Sequence, residues 1–400
     1  MTQPNTPTSG HVVIVGGGVA GLESLLALRA LAGDRVTVTL VSDRDLFIDR
    51  PMTVAEPFGL GSAAHLSLPE VAAESGSEFV RGSVTALDVA NRRVTFADGR
   101  HLAFDTLILA PGAMPRAPFS EAITFGLEGS GEAIREMLDR LRSRDAHSVS
   151  FVAPTMTGWL LPLYELALMT ARELVRSDVE GVEVRVLTPE DRPLALFGGR
   201  LSQGIGRVLG RAGIEFVHAS FAKAGDGLTY AALGQPSSDY VVTLPVLSGP
   251  GLTGVPATEP HDFIPVDEYG RVSGLPSVYA AGDAVDFPVK QGGLAAQEAD
   301  TVAEHIAANY GIGVEPTPFR PMLRGMLFTG DEPIYMRSDV PGVDPDVPGA
   351  WYPLWWPPTK VAGRYLGPYL SEHGDEEGFG APPVGFVDVD VPLAAITLPG

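Results

Sequence analysis

The sequence predicts an α/β protein made of two consecutive strand–helix–strand units and a different, aromatic-rich C-terminal region. Three observations carry this prediction. The apolar run HVVIV leads directly into a glycine-rich turn and then into GLESLLALRAL, where apolar residues recur at helical spacing. The same order returns as SVSFVA, PLYELALMTARELV and VEVRVL. After that second unit closes, SVYAAGDAV and GLAAQEADTVAEHIA supply one more strand and one more helix.

Taken in order, the first helix is followed by the strand RVTVTLV, which ends at Ser42 and Asp43. Short alternating strands fill Ser83 to Leu109, and Asp98-Gly99 marks a hairpin turn between RRVTF and HLAF before the segment closes with TLILAPG. In the second unit, SQGIGRVLGRAG reads as a helix and IEFV as a strand. A Pro- and Gly-rich connection begins near Tyr240, and the chain beyond Pro316 is rich in Pro and aromatic residues, with WYPLWWPPTK before the acidic run SEHGDEEG. The expected organisation is a discontinuous nucleotide-binding domain over 1–112 and 245–316, an insertion of similar type over 113–244, and a C-terminal interface or capping region over 317–400.

Composition limits what such a chain can do. With 400 residues, 45% of them hydrophobic, it has the material for two or three cores. A formal charge of −21 repels nucleic-acid phosphates. Cysteine is absent, so no disulfide, thiolate metal site or redox thiol pair is available, and the scattered histidines lack zinc-helix spacing. No metal site is expected. The N-terminus lacks the charged start and apolar run of a signal peptide, and the longest apolar stretch, Trp159 to Ala171, is too short to span a bilayer; the expected location is cytoplasmic. The basic residues include only three lysines, Lys223, Lys290 and Lys360.

Gly16-x-Gly18-x-x-Gly21 has dinucleotide-fingerprint spacing in the right context, after a strand and at the start of a helix. Gly16 allows the tight turn, Gly18 lets backbone approach a pyrophosphate, and Gly21 lets helix and strand pack closely. The helix N-terminus adds unpaired N–H groups and a positive dipole. The acidic ribose anchor belongs at the end of the second strand, where Ser42 stands with Asp43 next to it. Either Asp43 takes the role with a one-residue shift, or the Ser42 hydroxyl does so more weakly.

With this fingerprint, the APG at Ala110 to Gly112 and the YAAGD at Tyr279 to Asp283, the chain resembles the two-dinucleotide-domain FAD oxidoreductases, the pyridine nucleotide:disulfide reductase superfamily. The resemblance runs from about Val12 to Ala307 and implies two Rossmann-like domains with FAD as cofactor. It makes Asp283 the anchor of the flavin ribitol and Gly292, Gly293 and Leu294 the N–H donors at the flavin pyrimidine. Lys290 would add a charge there or stand solvated in a loop. Arg50, Val84, Ala110 and Gly112 complete the expected cofactor contacts.

The second unit departs from the pattern. Where a second fingerprint is expected, the chain reads APTMTGWLLPLYELA and keeps only Gly158 as a glycine. PLYELA most resembles the matching segment of sulfide:quinone oxidoreductases, but Trp159 stands where those proteins carry a redox cysteine. Trp159 is therefore expected near the flavin, closing the nicotinamide position; the opposing reading makes it core. Glu165 is either functional or a glutamate favourable to the first turn of its helix. Trp351, Tyr352, Trp355 and Trp356 leave three readings open: packing, a homodimer interface, or a quinone entrance. Lys360, Arg364 and Tyr365 follow at helical spacing, suited to a cap.

The function expected is electron transfer between a small-molecule donor and a quinone or other small acceptor, without a cysteine relay. An NAD(P)H dehydrogenase with an atypical nucleotide loop and a flavin-containing regulatory protein with little turnover are the alternatives.

Overall fold

The computed structural model describes residues 10–153, 155, 158–219, 221–224, 227–230, 238–337 and 352–373. In chain order, the strands that form its two large sheets are β1 (Gly10–Val15), β2 (Val36–Ser42), β3 (Glu78–Arg81), β4 (Thr106–Leu109), β5 (Ile123–Thr124), β6 (Ser148–Val152), β7 (Glu183–Thr188), β8 (Ile214–His218), β9 (Tyr240–Thr243) and β10 (Val278–Ala280). The principal helices are α1 (Val19–Ala32), α2 (Ser130–Arg142), α3 (Leu161–Arg176), α4 (Gly199–Arg211), α5 (Gly292–Asn309) and α6 (Leu366–His373).

The first sheet has the order β10-β4-β1-β2-β3 and the second β5-β9-β6-β7-β8; every pairing in both is parallel. Parallel sheets are covered on both faces, so their strands read as continuous apolar runs rather than alternating ones. Val12, Val13 and Ile14 in β1 are accordingly fully buried, as are Leu107 and Ile108 in β4. α1 is buried along most of its length, including Leu22, Leu25 and Leu28, because it lies between the sheet and α5. Each such leucine contributes about 1.5–3 kcal/mol.

A three-stranded antiparallel sheet (Val84–Asp88, Arg93–Phe96, His101–Ala103) sits beside the first domain, with its second turn at the expected Asp98-Gly99. The insertion leaves and rejoins the first domain through Met114–Arg116 and Val246–Ser248, which pair antiparallel with each other. A hairpin, Arg324–Leu327 with Ile334–Arg337, then packs Leu327, Ile334 and Met336 into the core of the insertion beside α3.

The C-terminal strap, residues 352–373, corrects one expectation and fits one of the readings left open for the aromatic cluster. Lys360, Arg364 and Tyr365 lie outside any helix; α6 starts only at Leu366, since prolines 357 and 358 and Gly363 interrupt helical geometry. Trp355 is buried within the chain, edge-on to Tyr335 at 5.3 Å, and its Nε1–H donates to the Thr359 carbonyl at 2.9 Å, so packing accounts for it. Tyr352 is exposed, and Trp351 lies outside the described residues. No helix among the described residues is long and apolar enough to cross a membrane.

Candidate functional site

The glycine turn between β1 and α1 is built as a cradle. Gly16 adopts φ +119°, and a Cβ there would overlap the Ala110 carbonyl; one on Gly21 would overlap the Gly16 carbonyl. Both glycines are thus demanded by the chain's own contacts. Gly18 differs: a Cβ there would meet nothing within 4 Å, so the space in front of it is open. Gly18 is also the N-cap of α1 and offers no side-chain cap, which leaves the N–H groups of the first turn to a ligand. A bare backbone facing open space at a helix N-terminus fits a pyrophosphate.

β2 ends at Ser42, as expected. Ser42 is buried, and its Oγ accepts the Arg44 N–H at 3.2 Å and borders Gly17, whereas Asp43 is exposed. The Ser42 carbonyl accepts the Gly82 N–H at 2.8 Å, which brings the strand starting at Val84 up beside it. Ala110 is buried behind the glycine turn, and Gly112 turns the chain away with φ +76°.

The YAAGD turn packs against the first turn of α1. Gly282 sits between Ala20 of α1 and Ala295 of α5, and its N–H donates to the Glu298 carboxylate at 2.6 Å. Asp283 is half-buried, and its carboxylate accepts no hydrogen bond from the described residues. Burial pushes its pKa up, while the charges of Lys290 and Arg50 pull it back down. An unpartnered carboxylate beside an open glycine cradle suits the hydroxyls of a sugar-like chain.

Lys290 does not stand in solvent. It is buried, donates to the Val285 carbonyl and lies 3.7 Å from the Phe263 ring centroid. Burial lowers its pKa to about 8 despite Asp283, Glu298 and Asp286. Burial raises the Glu298 pKa to about 8 as well. Sequence reasoning missed Glu298, although a glutamate on an otherwise apolar helix face is a visible signal.

At the N-terminus of α5 the structure corrects one expected donor. The Leu294 N–H is already held by the N-cap Gln291, whose Oε1 lies 2.8 Å away. Gly292 and Gly293 remain. A Cβ on Gly292 would come within 3.3–3.9 Å of Val361, Val19 and Pro51, which places the strap and the loop after Arg50 beside this helix end.

Glu165 and Lys360 form a buried ion pair across the domains, with Lys360 Nζ 2.6 and 2.7 Å from the two carboxylate oxygens. Glu165 also accepts the Phe328 N–H at 2.9 Å, and Lys360 donates to the Pro51 carbonyl at 3.2 Å. Burial pushes the Glu165 pKa up and the Lys360 pKa down, and each partner opposes that shift in the other. Glu165 therefore has a charged partner, which its sequence position alone does not reveal.

In the insertion, Trp159 is half-buried with its ring 5.7 Å from that of Phe197. It borders a cavity of about 30 Å³ together with Glu190, Leu194, Phe197 and Val289, the last one residue before Lys290. Glu190, beyond the end of β7, is turned inward: it accepts hydrogen bonds from the Tyr164 hydroxyl and, at 3.1 Å, from the Ala195 N–H. The loop before Trp159 touches the first domain where the Gly158 N–H donates to the Pro288 carbonyl at 3.2 Å.

Comparison with known proteins agrees with this architecture. Residues 10–153 match the family model described as pyridine nucleotide-disulphide oxidoreductase. Apoptosis-inducing factor 3 of Mus musculus is 27% identical over 317 residues, covering 72% of this chain and 48% of that protein, so the chain spans about half the length of this relative. The ferredoxin–NAD(+) reductase component of the biphenyl dioxygenase system of Paraburkholderia xenovorans is 28% identical over 302 residues, 70% of this chain and 69% of that one. The sulfide:quinone oxidoreductase structure from Aquifex aeolicus superposes with a TM-score of 0.73 at 19% identity, covering 82% of this chain and 83% of the other.

Proposed function

We propose, from the match of residues 10–153 to the pyridine nucleotide-disulphide oxidoreductase family model, whose members typically bind FAD, that this chain is an FAD-dependent oxidoreductase passing electrons between an unidentified donor and a quinone or other small acceptor without a cysteine relay. The observation that supports FAD most directly is the open backbone at Gly18, at the start of α1, together with the Asp283 carboxylate, which accepts no hydrogen bond from the described residues and whose neighbour Gly282 packs against Ala20 of that same helix. The flavin would supply the two-electron chemistry. The chain's own groups would do the rest: the first turn of α1 would hold the pyrophosphate, Ser42 the adenosine ribose and Asp283 the ribitol. Gly292 and Gly293 would donate N–H groups to the ring end that accumulates negative charge.

NAD(P)H is disfavoured as the electron donor on two grounds. Glu190 is engaged by Tyr164 and Ala195 rather than free for a ribose, and the 30 Å³ cavity beside Trp159 is an order of magnitude below ligand pockets of roughly 300–1,000 Å³. The net charge of −21 argues on similar terms against an acidic electron-carrier protein, which would be repelled on approach. The names of relatives such as the ferredoxin–NAD(+) reductase component favour the NAD(P)H alternative. Anaerobic stopped-flow mixing separates the two, and steady-state turnover with quinone analogues tests the acceptor. Fast bleaching of the flavin band at micromolar NADH would overturn the donor assignment. Release of FMN, or of no flavin, from denatured protein would overturn the cofactor.

A further inference from the structure

The strap is held to the cofactor domain by a carboxyl pair that the reaction does not use. Glu23 lies in α1, two residues after Gly21, and is fully buried. Its two oxygens accept the Tyr365 and Leu366 N–H groups at 2.8 and 2.7 Å, so it caps α6 from across the domain. Gly363 passes so close above it that a Cβ would press on the carboxylate. Asp300, on the packed face of α5, faces Glu23 closely enough for the two carboxyl groups to share a hydrogen bond, and its buried Oδ1 has no other partner. Two carboxyl groups can share a hydrogen bond only if one of them carries a proton.

We propose that the proton shared by Glu23 and Asp300 is a latch: while it is present the strap stays docked, and its loss releases residues 352–373 from the two helices whose N-termini frame the cofactor cleft.

The groups facing the pair are few. Asp300 faces Glu23 from α1, Glu304 from its own helix and Arg364 from the strap, and the Tyr365 phenol completes the set. Arg364 is 62% exposed and bonds to Glu304 at 3.3 Å, so it screens the pair only from outside. Burial and the Glu23 carboxylate raise the Asp300 pKa to about 9. An acid whose pKa is raised on docking favours the docked state while protonated, and that preference is lost as pH rises through the raised value. Ionised, the pair would place two negative charges in contact beneath the strap. Undocking would withdraw Val361 from Gly292 and Lys360 from Glu165, exposing the ring end of the cleft. The latch stands on these contacts alone and does not depend on which cofactor or donor is used.

Lys360 is a built-in reporter, because it is buried in the docked strap and is one of only three lysines in the chain. Cleavage after Lys360 by a lysine-specific endoproteinase, normalised at each pH to a denatured control, should rise at least tenfold as pH rises from 7.5 to about 9.5, while far-ultraviolet circular dichroism stays constant. Asp300→Asn keeps a neutral hydrogen-bond donor against Glu23 and should abolish that rise. Should this variant fail to fold, Arg364→Gln, which removes the one cation lowering the Asp300 pKa, should move the rise to higher pH. Cleavage that rises equally in the parent and in the variant read, or that does not rise in the parent at all, overturns the latch.

Discussion

The buried pair Glu165–Lys360 gives the sharpest stability test, because its geometry fixes both the sign and the size of the effect. Glu165 is 0% and Lys360 5% exposed, with 2.6 Å between charged atoms. At an effective dielectric of 20 that separation corresponds to an attraction of about 6 kcal/mol, against which the desolvation of both ions must be set. Removing one partner leaves the other buried. Lys360→Met leaves Glu165 with the Phe328 N–H, and Glu165→Gln leaves the ammonium with the Pro51 carbonyl and the Phe328 ring. Each single change should therefore cost about 3–5 kcal/mol. The double variant Glu165→Gln/Lys360→Met keeps the Phe328 hydrogen bond and strands no charge, so it should be no less stable than either single variant. The resulting coupling should be about 3 kcal/mol or more. Urea unfolding of the four proteins, followed by circular dichroism, reads this directly. Additive losses in the double variant would show that the two side chains do not stabilise one another, and the reasoning would fail.

Three further outcomes are expected. Asp283→Ala should lower flavin occupancy of the purified protein several-fold, measured as the ratio of flavin to protein absorbance; unchanged occupancy would move the ribitol anchor elsewhere. Glu298 has its pKa raised from 4.5 to about 8, so its contribution to stability is fully present below pH 4.5 and lost as pH rises through 8. Glu298→Gln should accordingly unfold at higher temperature than the parent at pH 9, with the advantage gone or reversed at pH 4.5. Trp159→Gly should allow measurable flavin bleaching by NADH that the parent lacks; equal rates in the two proteins would assign Trp159 to packing against Phe197 alone.

What could be read from the sequence was local. Gly16, Gly18 and Gly21 announce a turn through spacing alone, because each glycine answers a steric demand within a few residues of itself. Ser42 is likewise placed by the end of an apolar run. The contacts that assemble the site are not local: Glu165 meets Lys360 and Glu23 meets Tyr365 only after the strap has crossed both domains. Leu294 shows a subtler limit, since whether its N–H is free depends on the rotamer of Gln291. The spacing of Lys360, Arg364 and Tyr365 suggested a helix because periodicity says nothing of the prolines just before them. Glu23, Asp300 and Glu298 did leave a trace, as acidic residues within apolar helical stretches, and that pattern could have flagged them as buried.

The pairing of residues 114–116 with 246–248 means that the chain departs for the insertion and returns from it at the same place. The two short strands are already the arms of a hairpin, so everything between them behaves topologically as a cassette plugged into a complete cofactor sheet. Exchanging that cassette would leave the strand order of the first sheet unchanged, because none of its five strands lies within residues 117–245.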